Sequence, residues 1–580
     1  MTWTFRTGAA CAALAATLAL AACGGSDHSP TERRTEFGVV VGTDDSATNG
    51  TFNWKGIPFA KAPVGDLRWK APVDPDPWTT DRDAKAFGNA CVQSGRLYGP
   101  GSNNQYDATI GTTLGQTLGS EDCLYLNVWQ PARSGGPRPV VVFVHGGSNI
   151  SGYTADPVYD GAKLASTANV VVVTVNYRLG IFGFLNQTQL KTGASANDDS
   201  GNFAMLDIIK ALTFVQRNVS RFGGDPDRVT LMGESAGAVN LYAVLTSPLV
   251  VNANPQLFHR LMPTSGGLSL VSELPPGSLP TLVPAAAYKA QGDLLLQNML
   301  VADGTVADMT AAQAWIAGHS SAEAAAYLRS KTPNELLTTV LTKLAPLAAS
   351  GAGPIPEGTV LPVDPIAEIN AGHYLKVPVV AGNTRDEGKL FPTLLALSPA
   401  LGGTSGRLLT DAQVFSMAFS YDPNAAPQTT IEQWIPAVYL PTNTPVTGFT
   451  ARAELLNQIF FGASRDSMLN ALKAQQQEVW YYRFDWDEEP APFNEIYGAA
   501  HSFDLPFQFG NFGPSLLSNF VNTTANQPGR LDLSDAMMKS IGAFAYNGNP
   551  NTPALGVTWP TWPAKLIFDA TPTAKAIVVE

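Results

Sequence analysis

Several short stretches of this chain are apolar at nearly every position. Pro139–Val144 (PVVVFV), Val170–Val175 (VVVVTV) and Val229–Met232 (VTLM) are the clearest, and Val377–Ala381 (VPVVA) and Val479–Phe484 (VWYYRF) follow the same style. A strand with one wet face alternates apolar and polar residues. An uninterrupted apolar run of strand length marks a strand covered on both faces. Val39–Val41 reads as an edge strand at the start of the body. Phe203–Asn218 and Ala236–Leu245 have helical character and fall between the strands. Strands alternating with helices predict an α/β fold around a central, mostly parallel sheet. From Pro284 to Ala349 the chain is rich in Ala and Leu, which predicts a run of helices.

The first residues follow a different pattern. Arg6 gives a positive start, and Ala9–Ala22 is an apolar run of signal-core length, too short for a permanent span. Its end, Leu20-Ala21-Ala22-Cys23-Gly24, resembles the lipobox of bacterial lipoproteins, in which the cysteine carries lipid and becomes the first mature residue. The expected organisation is a signal peptide over 1–22, a polar tether over 23–36 and one large domain over 37–580. The expected location is outside the cytoplasm, lipid-anchored to a bacterial membrane facing the periplasm or exterior through Cys23, which would be the chain's membrane contact; the alternative is simple secretion after cleavage.

Composition narrows the partners. The 580 residues carry 36 Lys and Arg against 48 Asp and Glu, a formal net charge of −12. An acidic chain repels phosphate, so no nucleic-acid partner is expected. At 45% hydrophobic and 14% charged residues, the body is a folding sequence, not a disordered one. Four cysteines occur. Cys11 leaves with the signal and Cys23 takes lipid, so Cys91 and Cys123 remain to pair in an oxidising compartment. The sequence has no metal-type Cys/His cluster and no phosphate-binding GxxxxGK[ST] loop. No metal and no organic cofactor are expected.

The chemistry centres on Gly233-Glu234-Ser235-Ala236-Gly237, a G-x-S-x-G motif. A strand precedes it and a helix follows it, the setting that presents a nucleophilic serine on a sharp turn. Serine needs a base. Of six histidines, His501 is the last, and in the order serine, acid, histidine it is the one that follows the acid candidates. Those candidates are Asp386 and Glu387, on the loop after the Val377–Ala381 strand, and physical reasoning leaves both open. The tetrahedral oxygen needs backbone donors. Val144-His145-Gly146-Gly147-Ser148 follows a strand and resembles an HGGG-type loop, and the Ala236 amide adds a donor beside the nucleophile.

Taken together these motifs resemble the type-B carboxylesterase family, which includes the cholinesterases and bacterial para-nitrobenzyl esterases. Lys55–Ala60, Pro63–Arg68, Glu121–Val128, Asn176–Gly180, Phe222–Pro226 and Gly233–Gly237 occur in family order. The resemblance implies an α/β-hydrolase fold with helical cap or gorge insertions, the 284–349 segment being expected near the site. It implies a catalytic triad of Ser235, Glu387 and His501, resolving the acid as Glu387. It also implies an oxyanion hole of Gly147, Ser148 and Ala236 and a Cys91–Cys123 disulfide. Three departures stand out. Ser148 replaces the loop's third glycine. The second family disulfide has no cysteines here. No tryptophan lies within residues 92–122, where cholinesterases place a choline-binding ring. The implied activity is hydrolysis of a small-molecule carboxylic ester through an acyl-enzyme. Specialised lipase, polyester, aromatic-ester, lactone and carbamate hydrolases share such a triad. Adhesion proteins of the same fold have lost it.

Overall fold

The computed structural model describes Met1 and residues 29–397, 401 and 403–580. The signal peptide and Cys23 lie outside the described residues.

The main sheet has eleven strands, numbered here in chain order: β1 (Thr43–Asp45), β2 (Thr51–Pro58), β3 (Tyr125–Pro131), β4 (Arg138–Val144), β5 (Val171–Val175), β6 (Gly224–Glu234), β7 (Arg260–Thr264), β8 (Val379–Thr384), β9 (Val479–Phe484), β10 (Leu566–Phe568) and β11 (Val578–Val579). Their order across the sheet is β1-β2-β3-β5-β4-β6-β7-β8-β9-β10-β11. From β5 to β10 every neighbouring pair is parallel, and the outer pairs are antiparallel.

The apolar runs are explained by what covers them. On one face Val140, Val142, Val144, Val173 and Leu231 share a core with the Phe203–Asn218 and Ala236–Thr246 helices. On the other face Val141, Phe143, Val172 and Met232 pack with the Ala162–Ala168 and Gln527–Asn547 helices. Successive strand residues point to opposite faces, so a sheet covered on both sides needs an apolar residue at each position.

Three sequence expectations change. The tether does not run to residue 36. Glu32–Arg34 is a strand paired antiparallel with Val39–Val41. The Trp54 indole donates to Thr31 O at 2.6 Å, and the Arg33 guanidinium lies 4.7 Å from the Trp54 ring centroid. A polar segment has thus been drawn into the fold by one buried aromatic. Val39–Val41 is correspondingly the centre of a small three-stranded sheet rather than an edge. The 284–349 segment forms the expected helices, Ala285–Ala302, Met309–Gly318, Ser321–Ser330 and Pro333–Thr339. They build a separate core on Trp69, Ile181 and Phe182, away from the site. Arg68 fastens this layer to the body, pairing with Glu121 while donating to Lys331 O at 2.6 Å.

Cys91 and Cys123 are bonded, 32 residues apart. The chain-entropy model assigns a loop of this length about 4 kcal/mol.

Candidate active site

Ser235 stands between the end of β6 and the Ala236–Thr246 helix with φ +56° and ψ −123°. Few non-glycine residues adopt this conformation, and it costs on the order of 1–3 kcal/mol. The backbone turns within one residue, which lifts the side chain clear of both elements. Gly237 permits the turn: a Cβ there would lie 2.2 Å from Val144 O on β4. Ser235 and His501 both face a cavity of about 520 Å³.

Glu387 opens a short 3₁₀ turn after β8, and His501 lies on the loop beyond β9. The two loops are tied together, since Asp386 N donates to Ala499 O at 2.8 Å. His501 Nδ1 donates to Glu387 Oε2 in a short hydrogen bond. The other Glu387 oxygen accepts from Asn383 Nδ2 at 3.0 Å and Thr384 N at 2.9 Å. Burial pushes the Glu387 carboxyl up, but the His501 charge and these hydrogen bonds outweigh it and hold the acid below its ordinary range. Asp386 is differently engaged, paired with Arg385 at 2.7 Å and Lys389 at 3.4 Å. The structure therefore separates the two adjacent carboxylates that physical reasoning from sequence left open.

The imidazole is held on its faces as well. Phe391 and Phe461 lie 4.9 and 5.0 Å from its centroid. Its Nε2 is buried without a hydrogen-bond partner among the described residues, and Glu234 Oε1 stands 3.1 Å away. Glu234 belongs to the serine motif itself, and Ser502 Oγ donates to the same oxygen at 2.5 Å. Burial pushes the Glu234 acid up to about 7. Neither Glu234 nor Ser502 stands out in the sequence, although each adjoins a residue of the expected triad.

Gly146, Gly147 and Ser148 line the same cavity. Gly147 has φ +103°, and a Cβ there would meet Ser151 O at 2.2 Å. Ser148 and Asn149 follow at φ +55° and +58°. Three consecutive left-handed residues fold the loop back, and Ile150 N and Ser151 N donate to Gly147 O at 3.1 and 3.0 Å. Among the described residues, the amides of Gly147, Ser148 and Ala236 donate to no protein acceptor. Ser148 thus holds a left-handed conformation that favours glycine, at a cost of about 1–2 kcal/mol. Asn240 Nδ2, on the nucleophile helix, donates to Asn149 Oδ1 at 2.8 Å and fixes the loop against that helix.

The remaining described histidines have structural settings. His145 is buried, stacked on Tyr177 and bonded through Nδ1 to Gly146 O; burial holds it down to about 4. His259 accepts from Val229 N, His319 stacks on Trp315, and His373 pairs with Glu368 at the surface. The cavity walls come from Leu97, Tyr98, Leu390, Phe391 and Leu517, and none of residues 284–349 contributes. Among the described residues there is no cluster of His, Cys, Asp or Glu suited to a metal.

A buried acid, an imidazole with one free nitrogen, a serine on a strained turn and unpaired amides are the parts of an acyl-transfer site. Comparison with known proteins points the same way. The model of the carboxylesterase family matches residues 29–571. A para-nitrobenzyl esterase of Bacillus subtilis is 31% identical over 535 residues, 91% of this chain and 92% of that one. A fumonisin B1 esterase of Sphingopyxis macrogoltabida is 32% identical over 551 residues, 95% of this chain and 86% of the relative. Among solved structures, a para-nitrobenzyl esterase superposes with a TM-score of 0.67 at 28% identity, over 95% of this chain and 97% of its own. A Geobacillus stearothermophilus carboxylesterase gives 0.67 at 29% identity, over 95% and 98%. The chain belongs to the carboxylesterase family, has the α/β-hydrolase fold, and is a hydrolase of carboxylic esters.

Proposed function

We propose that Ser235, His501 and Glu387 carry the hydrolysis as a triad, with the amides of Gly147, Ser148 and Ala236 as the oxyanion hole. His501 Nε2 takes the Ser235 proton as Oγ attacks the ester carbonyl. Glu387 holds the imidazole by Nδ1 and stabilises the imidazolium. The tetrahedral oxygen sits at the N-terminus of the Ala236–Thr246 helix, where unpaired amides and the helix dipole favour negative charge. Collapse transfers the proton to the departing alcohol and leaves an acyl-Ser235. A water activated by His501 then releases the acid and restores the serine. The observation that carries this reading is the His501 Nδ1–Glu387 Oε2 bond at a cavity shared with Ser235. Ser235→Ala, assayed on short-chain p-nitrophenyl esters, is expected to lose at least about 10⁴ in kcat. Hydrolysis surviving in the pure variant would reject it.

The same reading extends to location. We infer that the chain is exported by a lipoprotein-type signal over 1–22 and anchored by lipid on Cys23. The Leu20–Gly24 sequence supports this, and a Cys91–Cys123 bond suits an oxidising compartment. Intact-mass measurement of the membrane fraction tests it, because an unlipidated mature chain would remove the anchor.

A further inference from the structure

One wall of the active-site cavity is cationic. Arg96 and Tyr98 reach it from the loop closed by Cys91–Cys123, and Arg407 and Asp411 reach it from the segment entering the Asp411–Phe419 helix. Arg407 pairs with Asp411 through one terminal nitrogen, while its Nε is buried with no hydrogen-bond partner among the described residues. The Arg96 guanidinium has neither an ion pair nor a side-chain hydrogen bond among the described residues, and Asp411 is the carboxylate whose field reaches it. Two guanidinium groups therefore share one carboxylate at the wall of a cavity that holds the reacting serine. Tyr98, kept in its neutral form by burial, adds a hydroxyl beside them.

The unpaired donor in a dry setting is the buried Arg407 Nε, beside which Arg96 lines the cavity as a solvent-exposed guanidinium. Its planar donors match a carboxylate in a two-point contact, and they repel a cation. The loop that carries no tryptophan for an ammonium thus presents an arginine instead. The other carboxyl groups lining the cavity are Glu234 and Asp156, beside His501, Tyr153 and Tyr159. Glu234 is turned toward His501 and Ser502, and burial pushes it to about 7 and Asp156 to about 6. At neutral pH Glu234 therefore opposes an incoming anion less than an ordinary carboxylate would, while Asp156 stays largely ionised.

We propose that the substrate is an ester bearing a second, free carboxylate away from the scissile carbonyl, bound by Arg96 and Arg407. The proposal rests on hydrolysis at Ser235 and narrows its substrate class to carboxylate-bearing esters, such as half-esters of dicarboxylic acids or esters of hydroxy acids.

Mono(4-nitrophenyl) glutarate places the carboxylate on the acyl side, and 4-acetoxybenzoate places it on the alcohol side. Each is compared with its methyl ester in the full chain. In at least one pair the wild type is expected to favour the free carboxylate in kcat/KM by tenfold or more. In Arg96→Gln that ratio should fall at least tenfold, and in Arg96→Lys by less. Free glutarate should inhibit hydrolysis of the methyl esters competitively, more weakly in Arg96→Gln. Preference for the methyl ester in both pairs, or a ratio unmoved by Arg96→Gln in a variant that still turns over methyl ester, would overturn the proposal. Hydrolysis of the methyl esters reports separately on Ser235, so that reading survives if the carboxylate preference is absent.

Discussion

A carboxylate faces each ring nitrogen of His501. Burial alone would push its pKa down, but the fields of Glu234 and Glu387 and the Glu387 hydrogen bond outweigh it and raise the imidazolium above its ordinary range. The imidazole accepts the Ser235 proton only when neutral, so kcat/KM should rise with pH through that elevated value. Glu234 itself titrates near 7, which makes the observed limb a property of the coupled pair. Glu234→Gln removes the negative charge at Nε2, and the acid limb should then move to lower pH. A profile of kcat/KM that stays in place in this variant would show that Glu234 does not set the base. Glu387→Gln should also shift the limb down, and lose about 10²–10⁴ in kcat because the imidazolium is no longer supported. Ser235 was legible because its motif sits between a strand and a helix, and His501 because it is the last histidine after the acid candidates, but only the family resemblance chose Glu387 over Asp386. Glu234's role was not legible, because it depends on a contact with a loop beyond residue 500. Arg96 and Arg407 were hidden for the same reason: nothing local in either segment says that both line the cavity.

At the scale of elements, the crossing of β4 by the nucleophile helix sets the turn at Ser235. Gly237→Ala forces a methyl to within 2.2 Å of Val144 O, so helix and strand must part. Overpacking of this kind costs about 1–3 kcal/mol, and here the displaced element carries the serine. Activity should therefore fall more steeply than melting temperature. The disulfide behaves in the opposite way. Cys123→Ser with Cys91→Ser should lower the unfolding free energy by about 4 kcal/mol in denaturant titration, leaving the triad loops in place. Parallel strands β4, β5 and β9 read directly from their apolar runs. β2 and β3 did not, because Thr51–Pro58 and Tyr125–Pro131 mix Asn, Lys and Gln among aromatics. Those polar residues are used inside the fold: Asn127 Nδ2 donates to Thr154 and Thr174, and its Oδ1 accepts from Gly56 N. A buried amide satisfied by distant partners looks like loop in sequence. The same blindness explains the expected tether, whose polar residues gain structure by lying over Trp54.

For the molecule as a whole, several carboxyls have been buried where they ionise reluctantly, and global stability should record it. Asp504 is one of them. It is fully buried beneath β9, accepting from Tyr482 OH and Gln508 Nε2, each at 2.7 Å, while its second oxygen has no partner among the described residues. Burial pushes its pKa from 3.8 up to about 6; the Glu387 charge adds to this, and the Tyr482 hydrogen bond and the His501 charge oppose it. A carboxyl whose folded pKa is raised binds its proton more tightly in the native state. Its contribution is fully present below about pH 4 and is lost as pH climbs through about 6. The difference corresponds to on the order of 3 kcal/mol across that window. Asp504→Asn keeps an oxygen for Tyr482 and removes the titration. At pH 4 the wild type should therefore be at its most favourable relative to the variant, and by pH 7 it should have lost that margin. Glu387, held below its ordinary range, contributes in the reverse sense in both proteins, and its field on Asp504 is part of what the comparison reads. Melting temperatures of the pair at pH 4, 5, 6 and 7 measure the gap. A gap constant with pH would mean that Asp504 ionises in the fold as it does in the open chain.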